Sequence, residues 1–197
     1  MKTLARLGPT LIAAVLLAAC AGLSTLQAEI RSYGDWPAAR KPGTYAFDRL
    51  PSQQAAGEAQ QRIEDAAHGA LQAAGFTAAE PGATPDVLVQ IGARITRYDR
   101  SPWDDPLWWR GGFGRFPGRP FLGPRWYPYN DSPRYDREVA LMLRDHANGT
   151  PLYEARASSE GTSSGGDEVL GAMFRAAMAD FPKSGHVPHN TSVSLKP

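Results

Sequence analysis

The alternation of apolar and polar positions lays out most of the chain. Thr44-Tyr45-Ala46-Phe47 sets two rings on one face and predicts a short strand, ended by Pro51. Gln54 to Ala74 is rich in Ala, Glu and Gln. Within it Ile63, Ala66, Ala67, Ala70, Leu71 and Ala74 recur at three- and four-residue steps, which predicts a helix closed by Gly75 and Phe76. From Asp86 to Tyr98 the period changes to two: Val87, Val89, Ile91 and Ile95 share one face of a strand. Tyr135 to Arg144 alternates in the same way, with Val139, Leu141 and Leu143 set against Glu138, Ala140 and Met142. Asn148-Gly149 predicts a hairpin turn, and Leu152 to Ser158 is the returning strand. Asp167 to Phe181 predicts a second helix. Val169, Leu170, Met173, Phe174, Ala177, Met178 and Phe181 form its broad apolar stripe, acids stand at its start and Pro182 closes it.

These elements predict an α+β domain over residues 43–182. Its economical form is a small mixed or antiparallel sheet of about four to five strands with two helices packed on one face. Residues 20–42 read as a lipidated N-terminus and tether without sustained period, in which Trp36 alone is expected to pack on the domain. Residues 183–197 read as a polar tail, where Thr191 to Leu195 alternates enough to add an edge strand.

Residues 99–134 break the pattern. Between Trp103 and Tyr129 lie nine aromatic residues, including four of the five tryptophans, with Arg110, Arg115, Arg119 and Arg125 interleaved. Seven prolines exclude regular helix and central strand, so the segment reads as a long irregular insertion. Trp, Tyr and Arg are the residue types that dominate contact energy at interfaces, and flat rings also stack on sugars. Trp103, Trp108, Trp109, Arg110, Trp126 and Tyr127 are therefore the candidate interaction surface. The opposing view is a loop whose rings fold back and enlarge a small core.

Composition narrows the function classes. Gly 20 and Pro 17 make up about a fifth of the 197 residues, so much of the chain is loop. A net charge of +1 argues against nucleic-acid binding by bulk charge. The single cysteine excludes an internal disulfide framework and a multi-cysteine metal site.

That cysteine carries the strongest local signal. Lys2 and Arg6 precede the apolar run Leu11 to Leu17, which is too short to span a bilayer, and Leu17-Ala18-Ala19-Cys20 follows. This order predicts a signal peptide over residues 1–19. LAAC resembles the bacterial lipobox, in which the thiol takes diacylglycerol and the chain is cut before the cysteine. Cleavage after Ala28 is the alternative. Acyl chains on Cys20 would anchor the protein stably, since each buried methylene contributes about 0.8 kcal/mol. Ala21 and Gly22 follow Cys20 in place of the Asp that often holds bacterial lipoproteins at the inner membrane, which points to the outer membrane, facing the periplasm.

Catalytic and metal signatures are missing from the sequence. No Gly-x-Ser-x-Gly, His-Glu-x-x-His or phosphate-loop pattern occurs. Asp104-Asp105 reads as solvated partners of nearby arginines, and His186 and His189 stand in a tail without neighbouring Cys or acid. His68 reads as a partly exposed structural residue. The expectation is no enzyme activity, no metal and no cofactor beyond the covalent lipid.

Several short motifs taken in order resemble the domain-of-unknown-function family 4136 of bacterial lipoproteins. They are Thr44-Tyr45 with Phe47-Asp48, Gly75-Phe76, Pro85 to Val89, the Gly/Trp-rich middle, Val139 to Leu143, Leu152 to Ala155 and Asp180-Phe181-Pro182. Members often carry Trp where this chain has Phe47 and Tyr153. The resemblance covers about residues 43–182 and implies a small α+β domain on a lipid anchor, without established catalytic residues. The resulting expectation is a lipid-anchored envelope protein that binds an envelope protein, a copy of itself or a glycan through its insertion, and no nucleic acid. The rivals are a self-assembling structural lipoprotein and an envelope hydrolase with an unrecognised site.

Overall fold

The computed structural model describes residues 25–98, 133–185 and 187–196. Strands β1 (Thr25–Tyr33), β2 (Thr44–Phe47), β3 (Thr77–Ala78), β4 (Val87–Tyr98), β5 (Arg134–Asp145), β6 (Pro151–Gly161) and β7 (His189–Ser194) form one sheet in the order β3-β2-β4-β5-β6-β1-β7. β2 runs parallel to β3 and β4, and the other pairings are antiparallel, so the sheet is mixed. Helices α1 (Pro51–Ala55), α2 (Glu58–Ala73) and α3 (Asp167–Ala177) complete the described elements. The α+β class stands as expected, but the sheet has seven strands rather than four to five.

The extra strands come from segments expected to lie outside the domain. Residues 25–33 are not a tether. They form β1, inserted between β6 and β7, with Leu26, Ala28, Ile30 and Ser32 buried and the residues between them on the opposite side. The C-terminal segment supplies β7, the edge strand that the alternation of Thr191 to Leu195 allowed, and it pairs with β1 over Thr25–Ile30. β3, only two residues long, has no readable sequence period. The predicted helix over Gln54–Ala74 is two helices: Gly57 takes a positive φ of 51° between them, a conformation that side-chain-bearing residues disfavour.

Both long helices cover one face of the sheet. α3 packs across β5, β6, β1 and β7, and α2 packs on α3 and β4. The core between them is continuous across the register: Ile91, Leu141, Ala155 and Ser32 follow one another on adjacent strands, as do Val89, Leu143 and Tyr153. At the end of the sheet where β6 begins, Phe181 closes the core against Trp36, Phe76 and Tyr153, with ring centroids 5.1 to 5.4 Å apart. Trp36 is buried there, as expected, and its Nε1 donates to the Arg40 carbonyl (2.8 Å). Arg40 in turn pairs with Asp145 at 2.5 Å. Buried Glu64 is satisfied by Arg49, which donates to both carboxylate oxygens (2.6 and 2.5 Å), as a buried charge requires.

Candidate interaction surface

Period-two alternation leaves the second face of the sheet without a covering element among the described residues. Towards the insertion end it is polar on every long strand: Gln27, Glu29 and Arg31 on β1, Arg94 and Thr96 on β4, Asp136 and Glu138 on β5, Glu154, Arg156, Ser158 and Glu160 on β6, while Leu88, Ala140 and Met142 share the face further along β4 and β5. Register brings these side chains into rows. Arg94, Glu138, Ser158 and Glu29 lie across four strands, and one row on Arg156 stands opposite Arg31.

Each guanidinium in these rows has its own carboxylate. Arg31 pairs with Glu29 (2.8 Å), Arg94 with Glu138 (2.8 Å), Arg156 with Glu154 (3.0 Å) and Arg134 with Glu160 (3.0 Å). The hydrogen bond from Arg31 to Glu29, reinforced by the carboxylate charge, holds the Arg31 pKa above its ordinary value. The face curves around a cavity of about 670 Å³, with Tyr33 and Tyr98 on its lining. Five carboxylates (Glu29, Asp136, Glu138, Glu154, Glu160) and three guanidiniums (Arg31, Arg94, Arg156) line it, so its charge is negative. This arrangement offers donors and acceptors in rows with aromatic rings at the side. Such rows of donors and acceptors are groups that can hydrogen-bond a polar partner.

The sheet register also fixes where the insertion is rooted. Tyr98 stands directly opposite Arg134, so the chain leaves β4 and re-enters β5 at adjacent points. Tyr135 faces Gly161, and Thr25 faces Ser194. The end of β4, the start of β5, the end of β6 and the start of β1 therefore share one edge of the sheet, opposite the Trp36 cluster.

The sequence profile of a domain of unknown function, DUF4136, matches residues 31–183. The chain belongs to the DUF4136 family. This span is wider than the motifs at 43–182 indicated, yet it leaves out β7 and most of β1, which in the structure complete the sheet of this DUF4136 protein. No curated protein shows a significant sequence match to it. Among solved structures, a PDZ domain protein from Parabacteroides distasonis is 14% identical with a TM-score of 0.48; the match covers 90% of this chain and 41% of that one. A PelC dodecamer from Paraburkholderia phytofirmans is 14% identical with a TM-score of 0.43, covering 77% of this chain and 95% of PelC. A variant PelC dodecamer gives 14% and 0.41.

Of the residues singled out from the sequence, Cys20, Trp103, Trp108, Trp109, Arg110, Trp126 and Tyr127 lie outside the described residues, as do Asp104, Asp105 and His186. His68 is exposed on α2, where its Nδ1 meets the Tyr45 hydroxyl at 2.6 Å. His189 does have an acidic neighbour, contrary to expectation: its Nε2 is 3.3 Å from Asp180 Oδ1, because β7 returns beside the end of the α3 segment. Among the described residues no group of three or more His, Cys, Asp or Glu is placed to hold a metal ion, and no helix is long and apolar enough to cross a membrane. Sequence reasoning missed the charged face itself. Its signal was present in the polar members of each alternating strand.

Proposed function

We propose that this DUF4136 protein is an exported cell-envelope protein held by a lipid on Cys20 at the periplasmic side of the outer membrane. In this reading it is non-catalytic and docks another envelope component through the 99–134 insertion, with Trp108, Trp109, Arg110, Trp126 and Tyr127 as the main contacts. The observation that supports it is the direct pairing of Tyr98 with Arg134. A hairpin there needs only a few residues. The aromatic and arginine-rich segment is therefore surplus to closing the sheet, and its residue types are those that carry interface energy.

β1 sharpens the reading of the anchor. With Thr25 already in the sheet, the five steps from Cys20 span at most about 18 Å. A lipid on Cys20 would hold the insertion edge of the sheet close to the bilayer. Crosslinking in intact cells from positions within 103–129, with identification of the captured molecule, tests the docking. Trp108→Ala with Trp109→Ala should weaken capture with little change in Tm; a large fall in Tm would assign the rings to packing. Cys20→Ser should abolish fatty-acid labelling, and persistent labelling would refute the anchor.

One observation favours a second reading, self-assembly. β7 is an edge strand of six residues, His189–Ser194, with neither Lys nor Pro to protect its free side. A concentration-independent monomer in sedimentation removes that reading.

A further inference from the structure

At the insertion edge of the sheet, one arginine is built into the covered side without a counter-charge. Arg137 is the first buried residue of β5, on the same face as Val139, Leu141 and Leu143, and is 7% exposed. Its Nη2 makes one long bond to Ser159 Oγ (3.4 Å), and its Nε has no acceptor. Among the described residues no carboxylate lies within ion-pair distance of it, whereas the other buried charge, Glu64, is fully paired. A buried guanidinium left so is costly unless an anion joins it.

The surroundings are arranged for such an anion. Arg137 lines a cavity of about 70 Å³ together with Gly165, Gly166 and Asp167 at the start of α3. No side chain caps α3, so the amides of its first turn lack intrahelical acceptors and present a positive end. A Cβ at Gly161 would lie 2.3 Å from Arg137 Nη2, so glycine there is what lets the guanidinium lie in place. Two guanidiniums on this side of the sheet, Arg62 and Arg137, line the cavity against one carboxylate, Asp167, which Arg62 takes (3.2 Å); the Arg94 and Glu138 side chains pair with each other on the open face (2.8 Å). One positive charge remains, in a space several times what a single water needs but too small for a large ligand.

We propose that this cavity binds a phosphate group, with Arg137 and the first-turn amides of α3 as its ligands. Guanidinium donors and a helix N-terminus are the groups that recognise a tetrahedral oxyanion. The phosphate is free, or is carried on a lipid headgroup. The second source rests on the anchor proposed above, because β1 starts on the same edge of the sheet.

The test uses the full chain purified in detergent, with inorganic phosphate as the first probe against sodium chloride at equal ionic strength. At a phosphate concentration ten times Kd, Tm should rise by about 3–6 °C. Arg137→Met should abolish the rise. Asp167→Asn removes an exposed carboxylate at the mouth, leaves the fold intact, and should lower Kd severalfold, so the proposal stays testable should the Arg137 variant fail to fold. No rise above chloride, an equal rise in Arg137→Met, or an unchanged Kd in Asp167→Asn would each overturn it. Phosphatidylglycerol vesicles with a Cys20→Ser chain separate the sources. Phosphate binding without vesicle binding retains the site and removes the lipid. Binding to both supports the headgroup, and failure of both overturns the site whatever the state of Cys20.

Discussion

The two faces of the sheet are made by the same strands and follow opposite rules. Along β5, Val139, Leu141 and Leu143 are closed under α2 and α3, while Glu138, Ala140 and Met142 between them face the other way. On the covered face the neighbours are apolar and fill space. On the open face Ala140 and Met142 give way, towards the insertion end, to charged residues paired with opposite charges across or along strands. The covered face thus accounts for folding through area removed from water. The open face adds little to folding, because exposed ion pairs are worth about 0–1 kcal/mol each. Its ordered rows are left over from the stability account, and a surface with that property is where recognition is sought.

The sharpest way to break this comparison is to delete one ring from each face. Phe174 on α3 is 0% exposed, and Phe174→Ala should cost about 3–5 kcal/mol in urea unfolding, a large share of the stability of a domain. Tyr98 is 52% exposed at the lip of the open face, and Tyr98→Ala should stay within about 0.5 kcal/mol. Similar losses from the two would mean that the open face is packed against something and that the contrast is false.

Alkaline pH probes the same contrast through ionisation. Burial pushes Tyr45 and Tyr153, both on the covered side, up to about 12 from the ordinary 10. Their folded-state values are raised, so their contribution to stability is whole below pH 10 and disappears as pH climbs towards 12, where the unfolded chain ionises first. Unfolding free energy should therefore fall between about pH 10 and 12. Tyr45→Phe, which deletes one of the two hydroxyls, should make that fall shallower. A flat profile over this range would contradict the burial of both rings.

What could be read from the sequence followed the size of the apolar residues. β4, β5 and α3 carry Val, Ile, Leu, Met and Phe at clear periods, and their positions were legible to within a few residues. β1 has an equally regular period, but two of its four inward positions are Ala28 and Ser32, so the segment resembled a linker. β7 is built of His, Asn, Thr and Ser around one Val, and its strand form comes from pairing with β1 rather than from its own burial. The family membership was legible in the order of short motifs. Arg137 could not be assigned inward from sequence: a period of two points it to the core, while its charge argues for solvent, and only the structure shows which prevails. The insertion was legible as composition, and its root at Tyr98 and Arg134 came from strand register.

The smallest expected effect is the most telling about the open face. Arg31 and Arg156 stand opposite each other on β1 and β6, an arrangement of like charges that by itself disfavours the pairing. Each is neutralised by the carboxylate two residues earlier on its own strand, with side chains about half exposed. Arg156→Gln therefore removes a repulsion and a weak attraction together, and stability should move by less than about 0.5 kcal/mol in either direction, with an unchanged urea slope. The difference should shrink further in 1 M salt, where exposed charges are screened within about 3 Å. A loss above 1 kcal/mol would make the charge rows part of what holds the sheet together. A null effect on folding combined with altered capture from the 103–129 crosslinking positions would instead tie the rows to the partner, and would extend the contact surface from the insertion onto the sheet beside its root.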